Sequence, residues 1–249
     1  MKGRPTLVGM LRSTTVESLL KEIEAMLSEG VDAFGFQIET LEPLERNEES
    51  YKKLFLAMQG KPAYVTNYIR CNPLDLTDEE LTEQLFSAVK CGAKLIDIRG
   101  DLFDRCDGEF TTDALAVKKQ TEVVSQLKAM GAQVLMSSHV LKYTPLEKVL
   151  EIALAQQARG ADVVKIVTEA NSEEELIANF EITLALKKQL NVPFLFLCNG
   201  THCKKHRALA PLLTDDMFLV VENSNENLAQ PTIKKAREIL TLAGYDNLP

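Results

Sequence analysis

Eight short apolar runs recur along the chain, and stretches with helical periodicity separate most of the neighbouring runs. Each run has about five to seven residues, which is the usual length of a β-strand. Their unbroken apolar character is typical of parallel strands that are covered on both faces. The alternation predicts an α/β fold, a single (β/α)8 TIM barrel over residues 1–249. The runs are LVGML (7–11), AFGFQI (33–38), AYVTNY (63–68), KLIDIR (94–99), QVLMSSH (133–139), VVKIV (163–167), FLFLC (194–198) and FLVVE (218–222).

The stretches between the runs have the pattern of amphipathic helices. In VESLLKEIEAMLSEG, apolar residues fall at helical spacing and Gly30 is placed to end the helix. Thr77 and Glu80 form a capping-box pattern, and Pro145 is expected at the first position of a later helix. The predicted helical stretches are residues 16–30, 77–92, 112–131, 144–160 and 171–190.

A doubly wound open sheet is the alternative fold, since it shares the alternation of strands and helices. The sequence contains neither G-x-G-x-x-G nor the phosphate-binding G-x-x-x-x-G-K-S/T, so no nucleotide-binding motif supports that version. The barrel is therefore favoured.

Charge and composition narrow the class of protein. The net charge of −8 disfavours nucleic acid or an anionic membrane surface as a partner. No apolar run approaches the roughly 18 residues of a membrane span, and the N-terminal apolar segment is too short for a secretory signal. Five cysteines without regular spacing fit a reducing compartment. We expect a cytoplasmic, acidic, single-chain enzyme or binding domain.

The sixth run places a charged side chain, Lys165, among apolar neighbours in GADVVKIV (160–167). In a barrel, catalytic groups gather at the C-terminal ends of the strands. Burial disfavours the ammonium form, and a neutral amine condenses with ketones or aldehydes to form a Schiff base. The alternative is an outward-facing lysine whose stem packs on a helix while its head reaches water.

His139 ends the preceding strand, so in a barrel it would stand beside Lys165 at the same rim. Histidine is the side chain best suited to shuttle a proton near neutral pH. The two residues together would support imine chemistry on a keto compound, followed by loss of water or by carbon–carbon cleavage.

VLMSSHVLKYTP (134–145) followed by GADVVKIV (160–167) resembles the type I 3-dehydroquinate dehydratases. Those proteins have a strand ending in Ser-x-His, then Thr-Pro opening a helix, then Gly-Ala-Asp-x-x-Lys. The resemblance extends from GVDAFGFQIETL (30–41) and AKLIDIRGDLF (93–103) to the segment that contains Arg207 and Gln230.

The resemblance implies a (β/α)8 barrel, usually a homodimer, that needs no metal and no organic cofactor and belongs to the shikimate pathway. Lys165 would form an imine with the substrate ketone. His139 would remove the proton alpha to the imine carbon and then protonate the departing hydroxyl. Arg207 would hold the substrate carboxylate with help from Gln230.

The chain departs from the family where the substrate would be recognised. The family has Glu-x-Arg-x-Asp on the second strand, Thr-x-Arg on the third and Asp-x-Glu on the fourth. Here these positions read GFQIE (35–39), TNY (66–68) and DIR (97–99). Unpaired buried polar groups cost about 1–3 kcal/mol each, so we expect reduced affinity for the usual substrate.

Two loop segments also differ. The acid that orients the family's histidine usually precedes Gly-Gly, where this chain has Asn72 and Pro73. The family's Ser-Ala-Pro-Gly-Gln is replaced by ENLAQ (226–230), and a Glu226 beside Arg207 would neutralise the cation meant for a carboxylate. The candidate replacements are Arg70 and Arg99 as anion contacts, with Gln37 and Asn67 as readers of hydroxyl groups.

CNGTHCKKHR (198–207) contains thiols and imidazoles that are compatible with zinc. The spacing is cramped and irregular, which favours a basic rim, formed by Lys204, Lys205 and Arg207, that attracts an anionic substrate. A zinc site would instead imply metal-polarised carbonyl chemistry. The four possible ligands are Cys198, His202, Cys203 and His206.

The sequence predicts a Schiff-base lyase that dehydrates 3-dehydroquinate or a related cyclic keto acid. The first alternative is a dehydratase or aldolase for another polyhydroxylated keto compound. The second is a catalytically silent barrel that binds a ligand. No cofactor is expected in the favoured mechanism.

Overall fold

The computed structural model describes residues 4–69, 74–214, 216–222 and 229–245. Within these ranges eight parallel strands follow one another in the order β7-β6-β5-β4-β3-β2-β1-β8 and form a nearly closed barrel. The predicted TIM barrel is thereby confirmed. The strands are β1 (Thr6–Met10), β2 (Ala33–Gln37), β3 (Ala63–Thr66), β4 (Leu95–Arg99), β5 (Gln133–His139), β6 (Val163–Glu169), β7 (Phe194–Asn199) and β8 (Met217–Val220).

Helices connect the strands and cover the outside of the barrel. They are α1 (Val16–Ser28), α2 (Glu48–Ala57), α3 (Asp78–Cys91), α4 (Ala114–Ala129), α5 (Leu146–Ala158), α6 (Glu173–Gln189), α7 (Cys203–Thr214) and α8 (Ile233–Leu242). None of the helices in the described ranges is long and apolar enough to cross a membrane.

Local sequence accounts for most helix ends. The predicted capping box is present, since Thr77 accepts from the Glu80 amide and the Glu80 carboxylate accepts from the Thr77 amide. Pro145 lies one residue earlier than predicted, at the N-cap of α5 rather than at its first helical position. The predicted helical stretches did not include α2, α7 and α8; α7 carries Pro211 in its interior, which is unusual for a helix.

Alternation along β6 decides which way its side chains point. Val164 and Ile166 pack outward against the apolar faces of α5 and α6, in a cluster with Val149 and Ile182. Val167 belongs instead to the cluster inside the barrel, with residues of β1, β5, β7 and β8. Successive side chains of a strand point to opposite faces, so Lys165 faces the barrel interior. The outward-facing alternative for this lysine is therefore wrong.

Candidate active site

A cavity of about 410 Å³ opens at the C-terminal end of the barrel, between the ends of the strands. Apolar side chains from inside the barrel form part of its wall, and polar groups from the strand ends form the remainder. The lining residues are Met10, Arg12, Gln37, Glu39, Tyr64, Thr66, Tyr68, His139, Lys165, Val167, Leu197, Asn199, Arg207, Leu219, Ala229 and Gln230.

Lys165 lies in the wall of this cavity and is only 5% exposed. Its Nζ donates to Tyr64 Oη at 3.0 Å, to Tyr68 Oη at 2.5 Å and to Asp97 Oδ2 at 3.1 Å. An ammonium has three donors, and here three acceptors surround it. The buried cation is thus both paired with a carboxylate and hydrogen-bonded, which is what its burial requires.

Asp97 contacts both tyrosines as well as Lys165. Its Oδ2 accepts from the phenols of Tyr64 and Tyr68, each at 2.5 Å, and its Oδ1 accepts from Ser137 Oγ at 2.5 Å. Burial and the negative charge of Asp97 raise the pKa of both tyrosines well above the usual value. The two phenols therefore remain protonated and serve as donors to the carboxylate.

His139 stands at the end of β5 and lines the same cavity. Its Nδ1 lies 2.5 Å from Glu109 Oε2, and its ring packs edge-on against Tyr68 with centroids 5.1 Å apart. Tyr68 in turn contacts Lys165, so a single phenol adjoins both members of the predicted catalytic pair. Glu109 comes from the segment after β4, and its sequence context, CDGEF, gives no sign of this contact.

The cavity wall also holds two guanidinium groups. Arg207 extends from α7 and is buried, with Nε donating to the Cys198 carbonyl at 2.8 Å and Nη2 to Asn199 Oδ1 at 2.8 Å. Arg12, an exposed residue just after β1, donates from Nη1 to Gln37 Oε1 at 2.9 Å. Arg12 was missed in the sequence, where it lies one residue beyond an apolar run.

Glu39 lies two residues after the end of β2, and its carboxyl group lines the cavity. It is 2% exposed and accepts from Thr66 Oγ1 at 2.9 Å. Burial raises the pKa of Glu39, although hydrogen bonds to it act in the opposite direction. This residue therefore lines the site with less tendency to ionise than an ordinary carboxyl group.

The structure places some predicted site residues in the cavity and others away from it. Gln37 and Gln230 line it beside Arg207. Asn67 faces α3 instead, where its Nδ2 donates to the Leu81 carbonyl at 3.0 Å and to Gln84 Oε1 at 2.9 Å.

Arg99 likewise points away from the cavity, toward the start of α3. It forms buried ion pairs with Asp78 at 3.2 Å and with Asp101 at 3.0 Å. The expectation that Asn67 and Arg99 contact the substrate is therefore corrected, because neither lines the cavity and because the Asn67 Nδ2 and the Arg99 guanidinium bind other groups of the protein. Arg70, Glu226, Asn72 and Pro73 lie outside the described residues.

The zinc alternative does not fit the packing of its four candidate ligands. His206 is buried between Phe180 and Phe196, with Nε2 3.1 Å from Thr183 Oγ1. Burial lowers the pKa of His206 to about 4. Across the described ranges, no three His, Cys, Asp or Glu side chains come together in a group that could hold a metal ion. In the basic rim, Lys204 and Lys205 are exposed, whereas Arg207 points into the barrel.

Comparisons with known proteins show which family the chain resembles. A family model described as type I 3-dehydroquinase matches residues 9–247. A 3-dehydroquinate dehydratase of Geobacillus sp. is 27% identical over 130 residues, which is 52% of this chain and 45% of that relative. The chain thus spans less than half of this relative, but a 3-dehydroquinate dehydratase of Pyrococcus abyssi is 24% identical over 92% of this chain and 95% of its own.

Solved structures with a similar fold include proteins of the same name. The crystal structure of the type I 3-dehydroquinate dehydratase of Clostridium difficile superimposes with a TM-score of 0.83 and 16% identity, covering 99% of this chain and 94% of that one. Proteins with these names are hydro-lyases.

Proposed function

Because the chain belongs to the type I 3-dehydroquinase family, we propose that it is a Schiff-base-forming hydro-lyase that dehydrates 3-dehydroquinate or a related cyclic keto acid. The observation that carries the proposal is the position of Lys165 Nζ, which points into the cavity that His139 also lines. An amine next to an imidazole is the set of groups that imine formation and proton transfer require.

Imine formation begins when neutral Lys165 attacks the substrate ketone. The ammonium must first lose a proton, and Asp97 and Tyr68 are the groups in direct contact with Nζ. The carbon–nitrogen bond forms as the carbonyl oxygen takes a proton. Loss of that oxygen as water leaves the imine on Lys165.

Elimination follows on the face next to His139. The imidazole takes the proton alpha to the imine carbon, and the electron pair moves into an enamine. The hydroxyl group at the next carbon then leaves with a proton from the imidazolium. Water hydrolyses the resulting conjugated imine, which frees the product and returns Lys165 to the amine.

The substrate carboxylate is assigned to Arg207 and Gln230, as the family resemblance implies. Arg12 lies in the same wall, and guanidinium groups suit carboxylates because they present several donors in a fixed plane. A keto acid therefore matches the charges of the cavity better than a neutral ketone does.

The shape of the cavity wall at β2 favours an alternative substrate for the same site. A Cβ added to Gly35 would lie 2.2 Å from Met10 Sδ, so Met10 occupies the space where a larger residue would stand. Tyr68 also stands where the family has an arginine. These differences favour another polyhydroxylated keto compound as the alternative substrate of the same lysine chemistry.

Borohydride trapping tests the proposal. The protein is incubated with 3-dehydroquinate, reduced, and digested, and the peptide that contains Lys165 is examined for the mass of the reduced adduct. We expect the adduct on Lys165 in the wild type and its absence in K165M, which keeps a long apolar stem. A panel of cyclic keto acids and keto sugars identifies the preferred substrate. Absence of any adduct on Lys165 across the panel would overturn the imine mechanism.

The homodimer and the cytoplasmic location stay predictions. Sedimentation equilibrium of the full chain measures the first, and fractionation of the source cells measures the second.

A further inference from the structure

The ring of His139 is held from a loop that belongs to a different βα unit. Nδ1 of His139 lies 2.5 Å from Oε2 of Glu109, and the two side chains are 8% and 15% exposed. An ionised carboxylate can only accept hydrogen bonds. The contact therefore fixes the proton of a neutral imidazole on Nδ1 and leaves the lone pair on Nε2.

The loop that carries Glu109 is fixed to the barrel. The Glu109 carbonyl accepts from Ser138 Oγ at 2.7 Å, and Ser138 directly precedes His139 in β5. An isolated bridge joins Gly100, just after β4, to Phe110. The Glu109 carbonyl is thus tied to β5, and the residue that follows it is tied to the end of β4.

The backbone at this point is held in an unusual conformation. Gly108 has a φ of 78° and Glu109 a φ of 50°, so two successive residues occupy the left-handed region. Glycine adopts it freely, but a residue with a Cβ does so at a cost in free energy. Strained backbone of this kind persists where the surroundings hold it, and it is enriched at functional sites.

Residues 67–74, which follow β3, contain no acid that could take this role. The family resemblance puts the orienting acid before a Gly-Gly pair, and residues 67–74 read NYIRCNPL, without Asp or Glu. We propose that Glu109 is the positioning residue of His139, supplied in this chain from the loop after β4. Its catalytic consequence rests on the proposed function, whereas its effect on the imidazole does not.

In the proposed reaction, the contact with Glu109 would direct proton transfer to Nε2 of His139. Nε2 accepts the alpha proton because Nδ1 already carries one, and the resulting imidazolium is stabilised by the adjacent carboxylate. The same proton then returns from Nε2 to the departing hydroxyl, so the carboxylate itself does not change its protonation state.

The tautomer of His139 can be measured without substrate. The sequence has three histidines, so long-range ¹⁵N–¹H spectra of the imidazoles can be assigned with single His variants. At about pH 8, where neutral imidazoles dominate, we expect Nδ1–H in the wild type and in E109Q, whose amide oxygen still accepts. E109A should move His139 toward the Nε2–H form. An unchanged tautomer in E109A would overturn the proposal.

Asp107 provides the matched control. It lies in the same short turn, but its carboxylate pairs with Lys142 at an exposed position, 3.3 Å away. D107N should keep both the wild-type tautomer and the wild-type kcat. A loss in D107N equal to that in E109A would show a general effect of the loop and would overturn the specific role.

Kinetics provide the second test. With the substrate identified by trapping, we expect kcat of E109A to fall about 10²-fold with little change in KM, while the borohydride adduct on Lys165 forms as in the wild type. If E109A does not fold, E109Q replaces it, since it should lose about tenfold in kcat for want of the charge. Equal kcat in E109Q and D107N would then overturn the proposal. If the wild type forms no adduct, the proposed function fails, but the tautomer measurement still decides the role of Glu109.

Discussion

The side-chain nitrogen of Lys165 lies 2.5 Å from the phenolic oxygen of Tyr68, and both groups contact the same oxygen of Asp97. The three residues come from β6, from the end of β3 and from β4. Lys165, the phenol and the carboxylate form a continuous hydrogen-bonded cluster, which in the proposed mechanism is the path by which a proton leaves Lys165. The ring of Tyr68 also packs against the ring of His139 in an edge-type contact, with centroids 5.1 Å apart.

Removal of the Tyr68 hydroxyl should slow imine formation. In Y68F the path from Lys165 to Asp97 loses its phenolic member, so we expect the rate of borohydride-trappable adduct formation to fall about 10²-fold. Y64F is the matched control, because Tyr64 contacts the same nitrogen at the longer distance of 3.0 Å and leaves Tyr68 in place. We expect a smaller loss there. Equal losses in the two variants would show that the phenols act only as packing.

Replacement of Arg12 should weaken substrate binding more than it slows turnover. R12M removes a guanidinium from the cavity wall, and hydrogen bonds to charged groups contribute about 1.5–3 kcal/mol, or about a 10- to 150-fold rise in KM. Steady-state kinetics with an anionic keto acid measures the change. K204M, which removes an exposed cation of the rim, should change KM less. An unchanged KM in R12M would contradict a role for Arg12 in binding the anion.

Glu39 should make stability depend on pH in a direction opposite to most carboxyl groups. Because burial raises its pKa above the ordinary 4.5, the folded state favours the protonated form. This contribution to the free energy of unfolding is complete below the unfolded-state pKa of 4.5. It is lost as the pH rises through the higher pKa of the folded state. Urea unfolding of wild type and E39Q should therefore show the variant gaining stability relative to the wild type as the pH rises above 4.5. A pH-independent difference would contradict this assignment.

His206 should destabilise the fold in acid. Its pKa is about 4 in the folded protein and 6.5 without burial, so the unfolded state binds its proton first. Stability is complete above the unfolded value and falls as the pH drops through the folded one, by about 3 kcal/mol over the full range. H206L cannot take up this proton. The difference in unfolding free energy between wild type and H206L, measured from about pH 7 to pH 4, should change by that amount. A constant difference would argue against a buried neutral imidazole.

Periodicity in the sequence was sufficient to predict the barrel and to place Lys165 and His139 on neighbouring strands. The apolar runs predicted the eight strands to within a few residues, because burial on both faces leaves a continuous apolar signal. Lys165 and His139 sit on consecutive strands, and a right-handed βαβ connection places such strands side by side. The alternation that turns Lys165 inward is also a property of the strand alone.

The alternation of side chains along β3 could also have excluded Asn67 from the cavity. Tyr64, Thr66 and Tyr68 line the cavity, so the residue between the last two faces the other way, toward α3. Arg99 has no such local signal, because it ends β4 and two buried carboxylates of neighbouring segments decide its direction.

Only the tertiary structure decided the surroundings of the pair. Tyr64 and Tyr68 are separated from Lys165 by 101 and 97 residues, and Glu109 from His139 by 30. Contacts of this kind depend on strand register, on closure of the barrel and on the path of one loop, none of which leaves a periodic signal in the chain. The sequence alone therefore determined the barrel and the placement of Lys165 and His139 at one rim of it. The folded barrel decided which phenols, carboxylates and guanidinium groups surround them, because those groups meet only when distant strands are brought together.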